Sequence, residues 1–234
     1  MTLTPSEARA FYDRFGKKQD TQSFYEDPAL DELIDHAHFA EAARVFEFGC
    51  GTGRFAARLL AAELPASATF IGCDLSVTMM NLATERLAPY AERARVIQSD
   101  GTTRFPLADN SVDRVISTYV LDLLSDANIG EVVREAHRVL VVGGRLCLVS
   151  LTTGTTLPSR IVSAIWMSIF RLRPSLVGGC RPIHLGRFLD PGCWELEHGK
   201  VMSVFGVASE VLVAMAKGAP QPCAGQLASG TRAV

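Results

Sequence analysis

The chain has 234 residues, enough for one domain with a full-sized core. Apolar residues make up 48% and charged residues 21%, the balance of a globular rather than a disordered or fibrous protein. Net charge is −2 with no long basic run, so the sequence advertises no basic face for DNA or RNA.

The opening run Met1-Thr2-Leu3-Thr4-Pro5-Ser6-Glu7 has neither the basic nor the apolar region of a secretory signal. No later stretch reaches the ~18 uninterrupted apolar residues of a membrane span. Residues 1–40 mix aromatics (Tyr12, Phe15, Phe24, Tyr25) with charges and contain no strand-like run, so helix is predicted there. Residues 45–48 form a short strand that runs into glycines. Phe55, Leu59, Leu60 and Leu64 follow at helical spacing, closed by Pro65. Residues 69–73 are a second strand ending at Asp74, and Ser76 caps a helix carrying Met79, Met80, Leu82, Ala83 and Leu87. Strands three and four are predicted at 95–98 and 112–117. Ile129, Val132, Val133, Ala136, Val139 and Leu140 share one face of a helix that Ser125 or Asp126 can cap and Gly143-Gly144 is expected to end. Residues 145–151 give a fifth apolar strand.

Strands and helices alternating at this pitch require crossover connections and hence a parallel, doubly wound sheet. After Pro158 come an apolar helix (161–170), a Pro/Gly-rich stretch, and two strand candidates at 194–204 and 209–216, spaced for a hairpin. The fold class is therefore α/β: a mostly parallel seven-stranded sheet finished by a C-terminal antiparallel hairpin. One domain is expected over 1–218, with a helical lid segment at 1–40, a cofactor-binding core at 41–151 and a substrate-side helix and hairpin at 152–218. Residues 219–234, rich in Gly, Ala, Pro and Ser, are expected to be a disordered tail. The six cysteines (Cys50, Cys73, Cys147, Cys180, Cys193, Cys223) contain no C-x-x-C pair, which suits reduced thiols in a cytoplasmic protein.

The central signal is Glu47-Phe48-Gly49-Cys50-Gly51-Thr52-Gly53 between a strand and a helix. Glycines there permit a tight turn and close approach of a ligand, and a helix N-terminus offers unpaired N–H donors. The run from Gly51 to Ala56 also fits the dinucleotide fingerprint G-x-G-x-x-G/A, so an NAD-linked reductase is a competing reading; no Tyr-x-x-x-Lys pair accompanies it. Asp74 ends the second strand at the offset expected for a carboxylate that accepts ribose hydroxyls. Ser99-Asp100-Gly101 ends the third strand at the same carboxyl edge. Glu47, Asp74 and Asp100 are thus expected to approach one crevice from three strand ends.

Taken together, these runs resemble the class I S-adenosylmethionine-dependent methyltransferases, in the branch of the ubiquinone/menaquinone-biosynthesis C-methyltransferases. Residues 45–53 are similar to that family's first motif, and Asp74-Leu75-Ser76 with Met79 to its second. The run from Phe105 to Asp113 resembles "P-F-x-D-x-S-F-D", and the run from Arg138 to Gly144 resembles "R-V-L-K-P-G-G" with Val141-Val142 in place of Lys-Pro. The resemblance covers residues 44–151 and implies a Rossmann-like methyltransferase fold with S-adenosyl-L-methionine as cofactor. It implies that Gly49 and Gly51 lie against the methionine part of the cofactor, with Cys50 and Gly53 also among the cofactor-binding residues, that Glu47 supports the methionine ammonium, and that Thr118 sits by its carboxylate. It further implies that Asp74 holds the ribose, that Leu75 packs on the adenine, that Asp100 with the Gly101 backbone reads the adenine edge, and that Met79 of the second motif belongs to the cofactor site. Asp122 stands where the family often has histidine, so a histidine-based mechanism does not carry over.

Methyl transfer from a sulfonium needs alignment first, and a base only if the acceptor must lose a proton. Asp122, Tyr12 and His184 are the candidates for that role, with Tyr25 behind them. Cys180, His184, Cys193 and His198 match no zinc spacing, and no metal is expected. The aromatic N-terminal segment and the apolar 161–170 helix, which contains Trp166, are expected to flank the pocket. The predicted partner is a small or amphipathic organic acceptor (quinone-, lipid- or phenol-like) rather than nucleic acid, with contact to a membrane surface a weaker expectation. A nucleoside-binding protein of this fold without catalysis is the remaining alternative.

Overall fold

The computed structural model describes residues 2–218, so the tail expected at 219–234 lies outside the described residues. Seven strands form one sheet in the order β3-β2-β1-β4-β5-β7-β6. They are β1 (Arg44–Phe48), β2 (Thr69–Asp74), β3 (Ala94–Gln98), β4 (Val112–Thr118), β5 (Leu140–Leu151), β6 (Trp194–Val204) and β7 (Val207–Ala216). The first five pair in parallel, and β7 enters antiparallel between β5 and β6. The chain runs outward from β1 to β3, then returns to place β4 on the other side of β1. Such a reversal opens a crevice at the carboxyl ends of β1 and β4, where ligands bind in sheets of this kind.

Both faces of the sheet are covered, so alternate strand residues enter two separate cores. Val45, Cys147, Val149, Val211 and Val213 pack beneath α2 (Ser23–His36), α3 (Arg54–Arg58) and α4 (Val77–Leu87). Phe46, Leu146, Leu148, Leu212 and Ala214 pack on α5 (Asp126–Val139). That two-sided burial is why the strands read as near-continuous apolar runs. The predicted caps are present: Ser76 Oγ accepts from Met79 N–H and Ser125 Oγ from Asn128 N–H. In the N-terminal segment, α1 (Pro5–Phe15) starts with a Thr4–Glu7 capping box, and a 3₁₀ stretch joins it to α2.

Three boundaries differ from expectation. Helix α5 stops at Val139, and β5 begins at Leu140 rather than Arg145. Leu140 pairs with Val112 and Arg145 with Arg114, so residues 141–144 bulge from the register, with Gly143 exposed at φ 80° and Gly144 buried. The helix after Gly53 turns π-helical over Leu59–Glu63. Helix α6 spans Leu157–Leu172, longer than the apolar run, because Thr156 caps it and Pro158 occupies its first turn. Cys50, Cys73, Cys147 and Cys180 are free thiols, whereas Cys193 is disulfide-bonded, which corrects the expectation that all the cysteines are reduced.

Candidate active site

Strand β1 is hydrogen-bonded on both sides and cannot shift, so the alternation that buries Phe46 in one core fixes Glu47 at the base of the crevice. Glu47 is 1% exposed, and its Oε2 has no hydrogen-bond partner. Burial, with the charge of nearby Asp74, pushes this carboxyl up to about 8. A buried, unpaired carboxylate oxygen is costly and marks a place for a cation.

The turn after β1 is pinned to β2 by the N–H groups of Gly49 and Cys50, both donating to Cys73 O at 2.9 Å. Gly49, Gly51 and Gly53 all have positive φ, at 78°, 53° and 72°. Their missing side chains do different work. A Cβ on Gly49 would lie 2.3 Å from Val120 Cγ2, and one on Gly53 3.0 Å from Ala83 Cα, so these two glycines let the β4 loop and α4 pack closely. Gly51 meets nothing within 4 Å and leaves backbone open to the crevice. Its N–H donates to Asp74 Oδ2 at 2.9 Å, and Ser76 N–H donates to Oδ1 at 2.8 Å. Burial still outweighs these bonds and raises the Asp74 carboxyl to about 6.

These groups line a cavity of about 210 Å³, together with Cys50, Leu75, Met79, Gly101 and Thr118. Leu75 and Pro5 close on Gly101, where an added Cβ would lie 3.3 Å from each. Two predicted residues are placed differently. Gly53 faces α4 rather than the cavity, and Asp100 is exposed, its Oδ1 accepting from Thr102 N–H and Oγ1 at 2.9 and 2.7 Å. Those bonds hold the Asp100 carboxyl below its usual range, and only two of the three expected acids enter the crevice.

Residues the sequence reading did not single out complete the wall. Gln19, Asp20 and Glu26 come from the N-terminal segment and line the cavity. Asp20 Oδ1 accepts from Thr52 Oγ1 at 2.6 Å, and its Oδ2 accepts from Arg86 at 2.6 Å. Arg54 donates to Glu26 at 2.8 Å and pairs with Asp27, yet burial raises Glu26 to about 7. Helix α1 is latched over the crevice by Asp13, which accepts from Ser76 Oγ at 2.6 Å and Thr78 N–H at 3.2 Å. An acid at i+7 from another in a polar stretch is no sequence signal for a pocket, so the places of Asp13 and Asp20 are legible only in the structure.

At the far end, Tyr12 and Tyr119 reach the cavity. Tyr12 Oη donates to Gly178 O at 3.4 Å and lies 3.9 Å from Cys180 Sγ. Tyr119 adopts φ 56°, unusual for a non-glycine residue, and its Oη meets Ser209 Oγ at 2.8 Å. Asp122 sits behind this wall, fully buried, with neither carboxylate oxygen hydrogen-bonded; burial raises it to about 7. Burial, reinforced by the Asp122 charge, pushes the phenols of Tyr12 and Tyr25 far up. His184 is exposed, bonded through Nδ1 to Thr152 Oγ1 at 3.2 Å, and does not line the cavity. Trp166 is likewise outside it, donating from Nε1 to Cys180 O at 2.9 Å, and no α6 residue lines the cavity. Among the described residues the side chains close enough to share one ion are Glu32, His36 and His198, not the cysteine–histidine set considered from sequence, and Lys200 Nζ already pairs with Glu32 at 2.6 Å.

Residues 45–144 match the family profile described as "Methyltransferase domain". That stretch is similar to methyltransferase domains over 100 of the 234 residues. The relatives it resembles include members of the branch anticipated from the glycine turn and the acids. The chain is 30% identical over 122 residues to a ubiquinone/menaquinone biosynthesis C-methyltransferase of Geotalea uraniireducens, covering 51% of this chain and 50% of that protein. It is 33% identical over 144 residues to a malonyl-[acyl-carrier protein] O-methyltransferase of Erwinia pyrifoliae, covering 62% and 50%. The chain thus spans about half the length of the curated relatives it matches. Among solved structures, the [4+2]-cyclase SpnF shares the fold at a TM-score of 0.69 and 15% identity, over 92% of this chain and 98% of that one.

Proposed function

We propose that the whole chain is an S-adenosylmethionine-dependent methyltransferase whose acceptor is a small or amphipathic organic molecule. The observation that carries this is the pairing of Glu47, with its orphaned buried oxygen, and Asp74 around the open side of Gly51. A ligand bearing an ammonium group and a ribose suits that donor and acceptor set. When bound, the cofactor supplies a methyl group already activated on a sulfonium. In this reading Glu47 neutralises the ammonium, Asp74 accepts from the ribose hydroxyls, and Thr118 lies by the carboxylate. Leu75 and Met79 give the adenine an apolar seat, with the Gly101 backbone at its edge; Asp100 would have to leave its turn to take part.

The acceptor enters at the Tyr12–Tyr119 end, under α1. The wall there would hold the acceptor's nucleophilic atom toward the methyl group that the cofactor would supply, and a proton shed by the acceptor would pass to solvent. Tyr12 is the group placed to touch the acceptor there. Asp122, buried behind Tyr12 and unpaired, acts on the phenol only through its charge, and Gly178 O orients the hydroxyl. The domain reading follows the same geometry: residues 1–40 act as lid, 41–151 as cofactor core and 152–218 as the outer wall. No helix among the described residues is long and apolar enough to cross a membrane. The test is incubation with a radiolabelled methyl donor and lipid, quinone and phenolic extracts, with tRNA and histone as further arms. Label in an extractable small molecule is expected. Label in tRNA or histone, or in nothing while the donor binds, contradicts the proposal.

A further inference from the structure

Helix α6 is built inside out. At 100° per residue, Leu157, Ile161, Ile165 and Leu172 fall within an arc of about 80°. They are 73%, 53%, 56% and 86% exposed, while Ser159, Ser163 and Phe170 on the opposite side are buried. The buried serines are satisfied, with Ser163 Oγ donating to Ser159 O at 2.9 Å, so the orientation is settled rather than loose. Arg160 and Arg171 border the apolar arc on one edge, and Arg173 follows its end.

Two further features extend this face. The β6–β7 turn carries Phe205 at its tip, 81% exposed and at φ 49°, where turn chemistry favours Asn or Gly. The adjoining Gly206 lies against α6, since a Cβ there would be 2.8 Å from Val162 Cγ2. Phe205 packs at 5.9 Å on Phe24, itself exposed. A phenylalanine held in an unfavourable backbone region at an exposed tip points to a role outside the fold.

Charge decides the occupant. From Leu157 to Leu189 the sequence contains no Asp or Glu, and its charged residues are Arg160, Arg171, Arg173, Arg181 and Arg187. Arg181 and Arg187 are paired with Asp126. The other three flank the apolar arc. We propose that α6 and the Phe205 tip dock on the surface of a bilayer that carries anionic lipids. An aliphatic stripe with an arginine border, too short to span, is the pattern of a helix lying in the interface. A protein partner would find no acid between Leu157 and Leu189 to pair with, and between α6 and the β6–β7 turn only a depression of about 10 Å³. The surface is separate from the crevice and stands whatever acceptor the crevice takes.

Co-sedimentation of the full chain with phosphatidylcholine vesicles, and with vesicles mixing in phosphatidylglycerol, tests the proposal. Binding to the anionic vesicles and not to the neutral ones is expected. Ile161→Asp with Ile165→Asp should weaken it at least about tenfold, and so should Arg160→Glu with Arg171→Glu. These side chains are exposed, so unchanged circular dichroism and melting will show that the variants fold. Absence of binding at low salt, or binding that both pairs leave intact, would overturn it. So would a dimer that the same substitutions dissociate without any vesicle binding, since that assigns the face to a second copy of the chain.

Discussion

Asp74 and Glu47 face the same cavity but are held differently, and their variants should behave differently. Asp74 already accepts two backbone N–H bonds and has lone pairs left for ribose hydroxyls. Charge-assisted bonds contribute roughly 1.5–3 kcal/mol each, so Asp74→Ala should weaken S-adenosylhomocysteine binding at least about tenfold in a calorimetric titration. An unchanged dissociation constant would place the ribose elsewhere. Glu47 has no such support. Its carboxyl is raised by burial to about 8, from an ordinary value of 4.5 in the unfolded chain. Between those values the folded protein holds a proton that the unfolded chain has released. Stability of the ligand-free protein should therefore be full below pH 4.5 as far as this group is concerned, and fall as pH rises towards 8. Asp74, raised to about 6, acts in the same direction over a lower window. Glu47→Gln removes the main part of this slope and should melt higher than wild type near pH 8, by on the order of 2–4 kcal/mol, while losing cofactor affinity. Thermal denaturation across that range, with and without S-adenosylhomocysteine, reads both effects; a flat profile for wild type would contradict the buried-charge account.

The elements were legible to the extent that their signals were local. Strands β1 to β4 and the hairpin β6–β7 lie close to their predicted places, because two-sided burial writes apolar runs and serine caps write helix starts. What depended on distant partners was not legible. Gly53 reads as a ligand glycine, but its space is taken by Ala83 of α4, which no local pattern announces. Asp100 is at the right strand end, yet a threonine two residues on captures it in a turn. Helix α6 reads as a wall of the pocket from its apolar run and its place after β5, while its orientation is set by the serines that face inward and leaves its aliphatic stripe exposed. These contacts make predictions at the element scale. Gly53→Val combines a positive φ with a Cβ against backbone, and should destabilise by roughly 2 kcal/mol or more in urea titration, with Gly51→Ala costing less stability and more cofactor affinity. Asp13→Ala should unlatch α1 from α4 and speed release of labelled S-adenosylhomocysteine several-fold, with little change in melting. Retention of the wild-type release rate would mean that α1 does not close the crevice.

At the scale of the whole molecule, the sheet's switch point creates the crevice, the β1 and β2 ends supply its acids, and the N-terminal helices roof it. The fold by itself does not decide the reaction, since one solved structure that shares it is a [4+2]-cyclase. The decision rests on the pair of carboxyls and the open glycine. The most direct test is calorimetric titration of the full chain with S-adenosylhomocysteine and, separately, with NADH, repeated on Glu47→Gln and Asp74→Ala. One site for S-adenosylhomocysteine is expected, weakened at least about tenfold in each variant, with no response to NADH. Binding of NADH without S-adenosylhomocysteine, or S-adenosylhomocysteine binding that both variants leave untouched, would contradict it.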